Sequence, residues 1–365
     1  MKRVISVVGA RPNFMKVAPI HRAFLAYAGA FTHDIVHTGQ HYDARMSDAF
    51  FSDLDMPQPT WFLGVGSGSH AEQTAKVMTG FDDVLTKANP DYVIVVGDVN
   101  STIACALTSV KRGIRTAHVE AGLRSFDRSM PEEINRLATD AICDDLFVTE
   151  DSAVRHLLSE GHSASSIHFV GNTMIGSLLW ALPASESSTI LSDVGVQEKS
   201  YVLVTLHRPS NVDHRDQLAM LLGVLAEISK SCDVVFPIHP RTRKHIMDWN
   251  LAQNLPQNLR LIEPVGYVDF LALMNNAQLV LTDSGGIQEE TTALGIPCVT
   301  ARTTTERPVT VEQGTNVLVQ PTAAEIRSAV QQILDGSGKH GNRPDLWDGR
   351  ASDRIAAIIA DKLTE

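Results

Sequence analysis

In this 365-residue chain, ionisable side chains recur where apolar runs stop. "VVGDVNST" places Asp98 there, "AHVEAGLR" places Glu120, "VLVTLHRPSN" places His207 and Arg208, and "VVFPIHPRT" places His239. Carboxylates and imidazoles in such positions can move protons and stabilise positive charge. "LVLTDSGGIQEE" adds a second kind of chemistry. After Asp283, a Ser284-Gly285-Gly286 turn leads into a helical pattern carrying Glu290. The turn offers a hydroxyl and unobstructed N–H groups to a phosphate, which the helix dipole also favours. "GARPNFMK" sets Arg11 and Lys16 around another helix start, with Pro12 suited to its first turn, and "TTTERPVT" supplies Arg307 beside Glu306. The chemistry within reach is acid–base work on a substrate that carries phosphate.

Plainer readings compete at single positions. Asp98 could simply cap the helix that starts near Asn100. In "SMPEEINR", Ser129 and Glu132 have capping-box spacing and Pro131 fits a first turn. Neighbouring helical residues point about 100° apart, so only one of Glu132 and Glu133 can easily face a cleft. No GxxxxGK[ST] occurs, and no GxGxxG follows the first strand. "GVGSGS" at 64–69 reads as a loop with no strand before it, and "DLD" at 53–55 as a solvated turn rather than a metal motif.

Twelve short apolar runs must position these groups: "RVISVVG", "HDIVHTG", "YVIVVGD", "RTAHVE", "DLFVTE" and "IHFVGN", then "YVLVTLH", "DVVFPIH", "LRLIEPV", "AQLVLTD", "IPCVTAR" and "TNVLVQ". Rich in Val and Ile, without alternation and with helical patterns between them, they predict parallel strands covered on both faces. Twelve exceed one ordinary sheet, so two doubly wound α/β domains are expected. Residues 1–182 read as the first domain, 183–200 as a Ser-rich linker, and 201–348 as the second. Residues 349–365 read as a helix crossing back to the first domain.

Composition narrows the partners. A net charge of −11 argues against a nucleic-acid surface. The four cysteines form no CxxC pair, which predicts reduced, mostly buried thiols and no zinc site. No apolar run reaches membrane-span length, and cytoplasm is the expected location.

In order along nearly the whole chain, "GARPNFMKVAP", "VVGDVNST", "HVEAGLRS", "MPEEINR", "TLHRP", "TDSGGIQEE" and "TTTERP" resemble the non-hydrolysing UDP-N-acetylglucosamine 2-epimerases. The resemblance implies the GT-B architecture, two Rossmann-like domains with the active site in the cleft between them. It implies a UDP-sugar substrate, a homodimer, a role in polysaccharide biosynthesis, and neither metal nor cofactor. It puts Asp98, Glu120, Glu132 and His207 at catalytic positions. Arg11, Lys16, Ser284, Gly285, Gly286, Glu290 and Arg307 match nucleotide and phosphate contacts, with Glu290 on the ribose hydroxyls and Phe270 near the uracil. Arg124 and Arg136 read as structural partners of the acidic loops.

Gln40, His41, Arg208 and His239 match positions tied to activation by substrate in the family. Asp43 replaces a second Gln of regulated members, and Pro209-Ser210 replaces their Arg-Glu. Two related reactions stay open. One is 2-epimerisation of UDP-2,3-diacetamido-2,3-dideoxy-glucuronate, with Arg302 or Arg241 as the extra cation. The other is hydrolytic release of N-acetylmannosamine. A GT-B glycosyltransferase or a non-catalytic nucleotide-sugar-binding module would keep the Ser284 turn but leave the carboxylates unexplained.

Overall fold

The computed structural model describes residues 1–39, 54–253 and 255–364. It divides into two α/β units, one of Met1–Trp180 with Asp345–Glu365 and one of Ala181–Pro344. Each is a Rossmann-like sheet flanked by helices, the GT-B class expected from the sequence.

The first unit holds β1 (Lys2–Val8), β2 (Phe31–His37), β3 (Trp61–Phe62), β4 (Tyr92–Val96), β5 (Arg115–Ala121), β6 (Asp145–Val148) and β7 (Ile167–Phe169). They lie in the order β3-β2-β1-β4-β5-β6-β7, every pair parallel. The second unit holds β8 (Tyr201–Thr205), β9 (Asp233–Pro237), β10 (Leu259–Ile262), β11 (Leu279–Thr282), β12 (Cys298–Ala301) and β13 (Asn316–Val319). Their order is β10-β9-β8-β11-β12-β13, again parallel throughout. All twelve apolar runs are strands. β3 is an addition: a two-residue strand does precede the "GVGSGS" loop, too short to show as a pattern.

The central strands are buried on both faces because helices cover both. All five residues of β4 are buried, and Ile5, Val7, Val93 and Val95 pack against Val77, Phe81 and Leu85 of the helix His70–Ala88. In the second unit, Val202, Val204, Leu279 and Leu281 anchor the equivalent core. Burying an aliphatic side chain of this size contributes about 1.5–3 kcal/mol each, so these continuous runs favour a covered parallel sheet over a half-exposed one.

Both sheets reverse strand order at their centre, between β1 and β4 and between β8 and β11. Ligands of doubly wound sheets bind beyond the carboxyl ends of strands at such switch points. The residues that follow these four strands include Gly9, Gly97-Asp98, His207 and Asp283-Ser284, where the sequence reading sought chemistry.

The stretch read as a linker is partly helical: the helix Thr173–Ser185 runs into it, and Ile190–Val194 forms another. At the other end, Trp347 is fully buried and donates from Nε1 to the Thr149 carbonyl at 2.9 Å. The helix Ala351–Thr364 packs on the helix Arg11–Phe24 within the first unit.

Candidate active-site residues

In the first unit, the helix Arg11–Phe24 begins just after β1 and is tied to its neighbours by Asn13. The Asn13 Oδ1 accepts from the N–H groups of Gly9 (3.0 Å) and Ala10 (2.9 Å), and its Nδ2 donates to the Val96 carbonyl at 3.2 Å. One amide thus joins the ends of β1 and β4. Gly9 is required by space: a Cβ there would sit 2.5 Å from the Ser101 hydroxyl. Arg11 opens the helix, and its side chain lies outside the described residues.

Lys16, one turn further on, is 5% exposed and donates to Glu120, itself 6% exposed. Two buried opposite charges make this helix start less positive than Arg11 and Lys16 alone suggest. Glu120 has φ +76, a left-handed conformation rare for a residue with a side chain, and the β5–β6 register shifts between Val119 and Ala121. Such strain persists only where surrounding contacts over-determine it. Gly97, at φ +69, makes room for the pair: a Cβ would lie 3.0 Å from the Lys16 Nζ and 3.5 Å from the Glu120 Oε2.

Asp98 follows. It does not cap the next helix, whose N-cap is Val99 and makes no side-chain cap bond. Instead its carboxylate accepts from Arg136 at 2.5 Å, and its carbonyl accepts from the Asn135 amide at 2.8 Å. The capping-box reading of Ser129 and Glu132 also fails. The helix Pro131–Ile142 is capped at Met130 with no side-chain bond, while Ser129 donates to Asp127. Pro131 sets the start one residue later than the Ser129 spacing required.

Glu132 is half-buried, with no hydrogen bond or ion pair among the described residues. Glu133 is buried. It accepts from the N–H groups of Ser125 (3.0 Å) and Phe126 (2.9 Å), from the Ser125 hydroxyl and from Arg136 at 2.6 Å. Burial works to raise the Glu133 carboxyl, but these donors outweigh it and hold it below the ordinary range. Arg136 therefore bridges Asp98 and Glu133. Arg124 does the same for Asp140 (2.7 Å) and Glu160 (2.6 Å), so both arginines are the structural partners expected.

In the second unit, the organising residue is the acid that the sequence marked only as a strand end. Asp283 is 0% exposed and accepts from the N–H groups of His207 (3.1 Å) and Arg208 (2.9 Å), from Asn211 Nδ2 (3.0 Å) and from the His207 ring at 3.0 Å. These bonds overcome the effect of burial and keep its carboxyl below the usual range. Asp283 thus aims the half-exposed His207 imidazole and holds Arg208, whose Nε also donates to the Asp283 carbonyl at 3.0 Å. The signal was present in the sequence, an acid ending an apolar run as at Asp98.

Ser284 caps the helix Gly285–Leu294 without a side-chain bond. The two glycines form its first turn rather than a loop before it. At Gly285 a Cβ would fall 2.7 Å from Arg307 Nη1 and 2.8 Å from Glu306 Oε1. Arg307, 8% exposed, pairs with Glu306 at 2.5 Å and Glu289 at 2.9 Å, and Arg302 pairs with Glu306 at 2.8 Å. Arg208 also feels Arg302, Glu306 and Arg307, so three guanidiniums surround one glutamate. Arg302 Nη1 is buried without a hydrogen-bond partner among the described residues.

Glu290 is 3% exposed and accepts from the Tyr267 hydroxyl at 2.8 Å. Burial pushes its carboxyl up to about 7, the Tyr267 bond opposing and nearby Glu289 adding to the rise. Phe270, three residues beyond Tyr267 on the helix Tyr267–Asn275, is half-buried.

His239 and Arg241 lie apart from these clusters in their bonding. His239 is exposed and caps the helix Pro240–Asp248, accepting from the Arg241 N–H, while exposed Arg241 pairs with Asp213. Gln40, His41, Asp43 and Asp53 lie outside the described residues; Asp55, at φ 50, is in a turn.

The family model for UDP-N-acetylglucosamine 2-epimerase matches residues 25–360. The chain is 42% identical over 361 residues to the UDP-N-acetylglucosamine 2-epimerase of Methanocaldococcus jannaschii, covering 97% of each protein. The crystal structure of that organism's enzyme in complex with UDP-GlcNAc and UDP is similar at a TM-score of 0.88 and 41% identity, covering 99% of this chain and 100% of that one. A UDP-2,3-diacetamido-2,3-dideoxy-D-glucuronate 2-epimerase from Pseudomonas aeruginosa is 38% identical, covering 98% of this chain and 99% of its own.

Proposed function

The chain belongs to the UDP-N-acetylglucosamine 2-epimerase family, and from that premise we propose that it interconverts UDP-N-acetylglucosamine and UDP-N-acetylmannosamine. It is an isomerase. A side-chain base takes the C2 proton while the C1–O bond breaks, and the bonding pair leaves with UDP. That gives 2-acetamidoglucal. A proton then returns to C2 on the opposite face, and a UDP oxygen rebuilds the bond to C1. No carbonyl activates the C2 hydrogen, so C1–O cleavage runs ahead and C1 gains oxocarbenium character.

The observation that carries this reading is the arrangement of acids in the first unit. Asp98 and Glu120 end adjacent strands, each bound to a separate buried cation. Glu132 begins the helix that supplies one of those cations, Arg136. Acids fixed by counter-charges can face a developing positive charge without reorganising. In this reading Asp98, Glu120 and Glu132 stabilise C1 and move the C2 proton, and His207, aimed by Asp283, assists at the leaving oxygen. Ser284, the Gly285 helix start, Arg307, Arg11 and Lys16 serve the diphosphate. Glu290 takes the ribose hydroxyls, and Phe270 lies by the uracil. The enzyme would act as a cytoplasmic homodimer supplying sugar nucleotides for polysaccharide assembly.

One observation supports a second substrate, the diacetamido-glucuronate. The unpartnered Arg302 Nη1 is a buried donor suited to a carboxylate, and a relative named for that substrate is nearly as similar as the first. Incubation with each UDP-sugar in deuterated water, followed by NMR, tests both. Deuterium is expected at C2 of substrate and product from UDP-N-acetylglucosamine. Epimerised product that keeps its original C2 hydrogen would refute the elimination route.

A further inference from the structure

Directly behind the acidic groups of the first unit lies a buried pair that the mechanism above does not use. His118 and Asp140 are both 0% exposed. The His118 Nδ1 lies 2.6 Å from the Asp140 Oδ1, and its Nε2 lies 2.7 Å from the carbonyl oxygen of Gly97. A carbonyl can only accept, so Nε2 donates to it. Nδ1 faces a carboxylate that burial acts to protonate, yet His118 and Arg124 hold that carboxyl below the ordinary range. The Asp140 carboxyl thus fixes the ring plane and, with it, the direction of the Nε2 bond to Gly97.

Each bond ends on a segment that carries a candidate acid. Gly97 precedes Asp98, and its left-handed backbone leaves space for Lys16 and Glu120. The second oxygen of Asp140 accepts from the N–H of Gly122, two residues past Glu120, at 3.0 Å, and from Arg124 at 2.7 Å. Asp140 sits on the helix Pro131–Ile142, which also bears Glu132. One imidazole–carboxylate pair thus spans the end of β4, the end of β5 and that helix.

We propose that His118, backed by Asp140, is a positioning residue for the C2 proton transfer: by holding the Gly97 carbonyl it keeps Asp98, Glu120 and Glu132 in mutual register. It touches no substrate. The bond to Gly97 is the one that matters, because Gly97 has no side chain to anchor it and, as a glycine, has the widest range of backbone conformations open to it. The proposal rests on the epimerase reading.

Two amide replacements separate the two bonds. Glutamine places its nitrogen near the position of Nε2, so His118→Gln keeps a donor for Gly97. His118→Asn reaches only the Nδ1 side. We expect His118→Asn to lose kcat about 10–100-fold with KM within about threefold, since misplacement by about 1 Å can cost 10²-fold. His118→Gln should recover most of that loss, and deuterium incorporation at C2 should fall and recover in parallel. Equal losses in the two variants, or a lowered melting temperature with kcat intact in His118→Asn, would overturn the proposal. If His118→Asn does not fold, His118→Gln alone decides: kcat within about threefold of the parent's supports the primacy of the Gly97 bond, and a loss of about tenfold or more refutes it. A parent enzyme that places no deuterium at C2 would instead count against the epimerase reading itself.

Discussion

Glu133 and Arg136 lock together inside the first unit, the carboxylate 2.6 Å from the guanidinium and both side chains at most 3% exposed. The same arginine reaches Asp98 at 2.5 Å, so the second glutamate of the Glu132-Glu133 pair is a brace for an acid elsewhere. Glu132→Gln should fold normally and lose roughly 10²–10⁴ in kcat, the worth of a positioned acid or base. Glu133→Gln breaks a buried pair and should lower stability by about 3 kcal/mol. It should also lose activity through Asp98, in contrast to the near-silent change that a side chain merely turned away would give. Melting curves and kcat on both variants check this, and a stable, active Glu133→Gln would refute the bracing role.

Gly97→Ala should uncouple the Lys16–Glu120 pair. The new methyl group would sit 3.0 Å from the Lys16 Nζ and 3.3 Å from the Asn13 Nδ2, on a backbone at φ +69. Strain of about 1–3 kcal/mol is expected, together with a kcat at least about tenfold lower. A variant with unchanged kcat would show that the pair tolerates displacement.

With Glu290 on the ribose hydroxyls, as proposed, nucleotide binding and stability should respond to pH in opposite directions. Its folded carboxyl, at about 7, is raised from an ordinary 4.5, so the folded state holds a proton that the unfolded chain has released. The stabilising contribution is therefore complete below about 4.5 and is lost as pH rises through about 7, a change on the order of 3 kcal/mol. Glu290→Gln should melt near the parent at pH 5 and above it at pH 8. UDP affinity of the parent should rise through pH 7 more steeply than that of Glu290→Gln, in which only the terminal phosphate of UDP titrates, at about pH 6. Calorimetry across pH 5.5–8.5 reads both, and parallel affinity profiles in parent and variant would exclude the ribose role.

Glu306→Gln leaves Arg208, Arg302 and Arg307 without their shared anion. Burial acts to raise the Glu306 carboxyl, but Arg307 and Arg302 outweigh it and keep it far below the usual range. Losing this charge should cost about 3 kcal/mol in the free protein. UDP should restore part of that, so its stabilising shift in melting temperature should be larger in the variant than in the parent. An equal or smaller shift would place the diphosphate elsewhere.

Much of this molecule was legible in the one-dimensional chain, and for a common reason. Continuous Val- and Ile-rich runs can be satisfied only when both faces are covered, so all twelve runs are strands and the two-sheet α/β class follows. The ionisable groups that stand at strand ends were legible too, because an acid or imidazole stops an apolar run and so marks where the covered strand finishes. What the chain could not disclose is which charge answers which. Lys16 lies 104 residues from Glu120, Arg136 lies 38 from Asp98 and Asp283 lies 76 from the His207 it aims. The Ser129–Glu132 spacing suggested a cap because it is local; Pro131 and the buried Arg136 decided otherwise. Local patterns report what a segment does with its own backbone. The partners of a buried charge are set by desolvation, since an ion removed from water must meet its counter-ion wherever packing brings one, and that choice is made only when the sheets assemble.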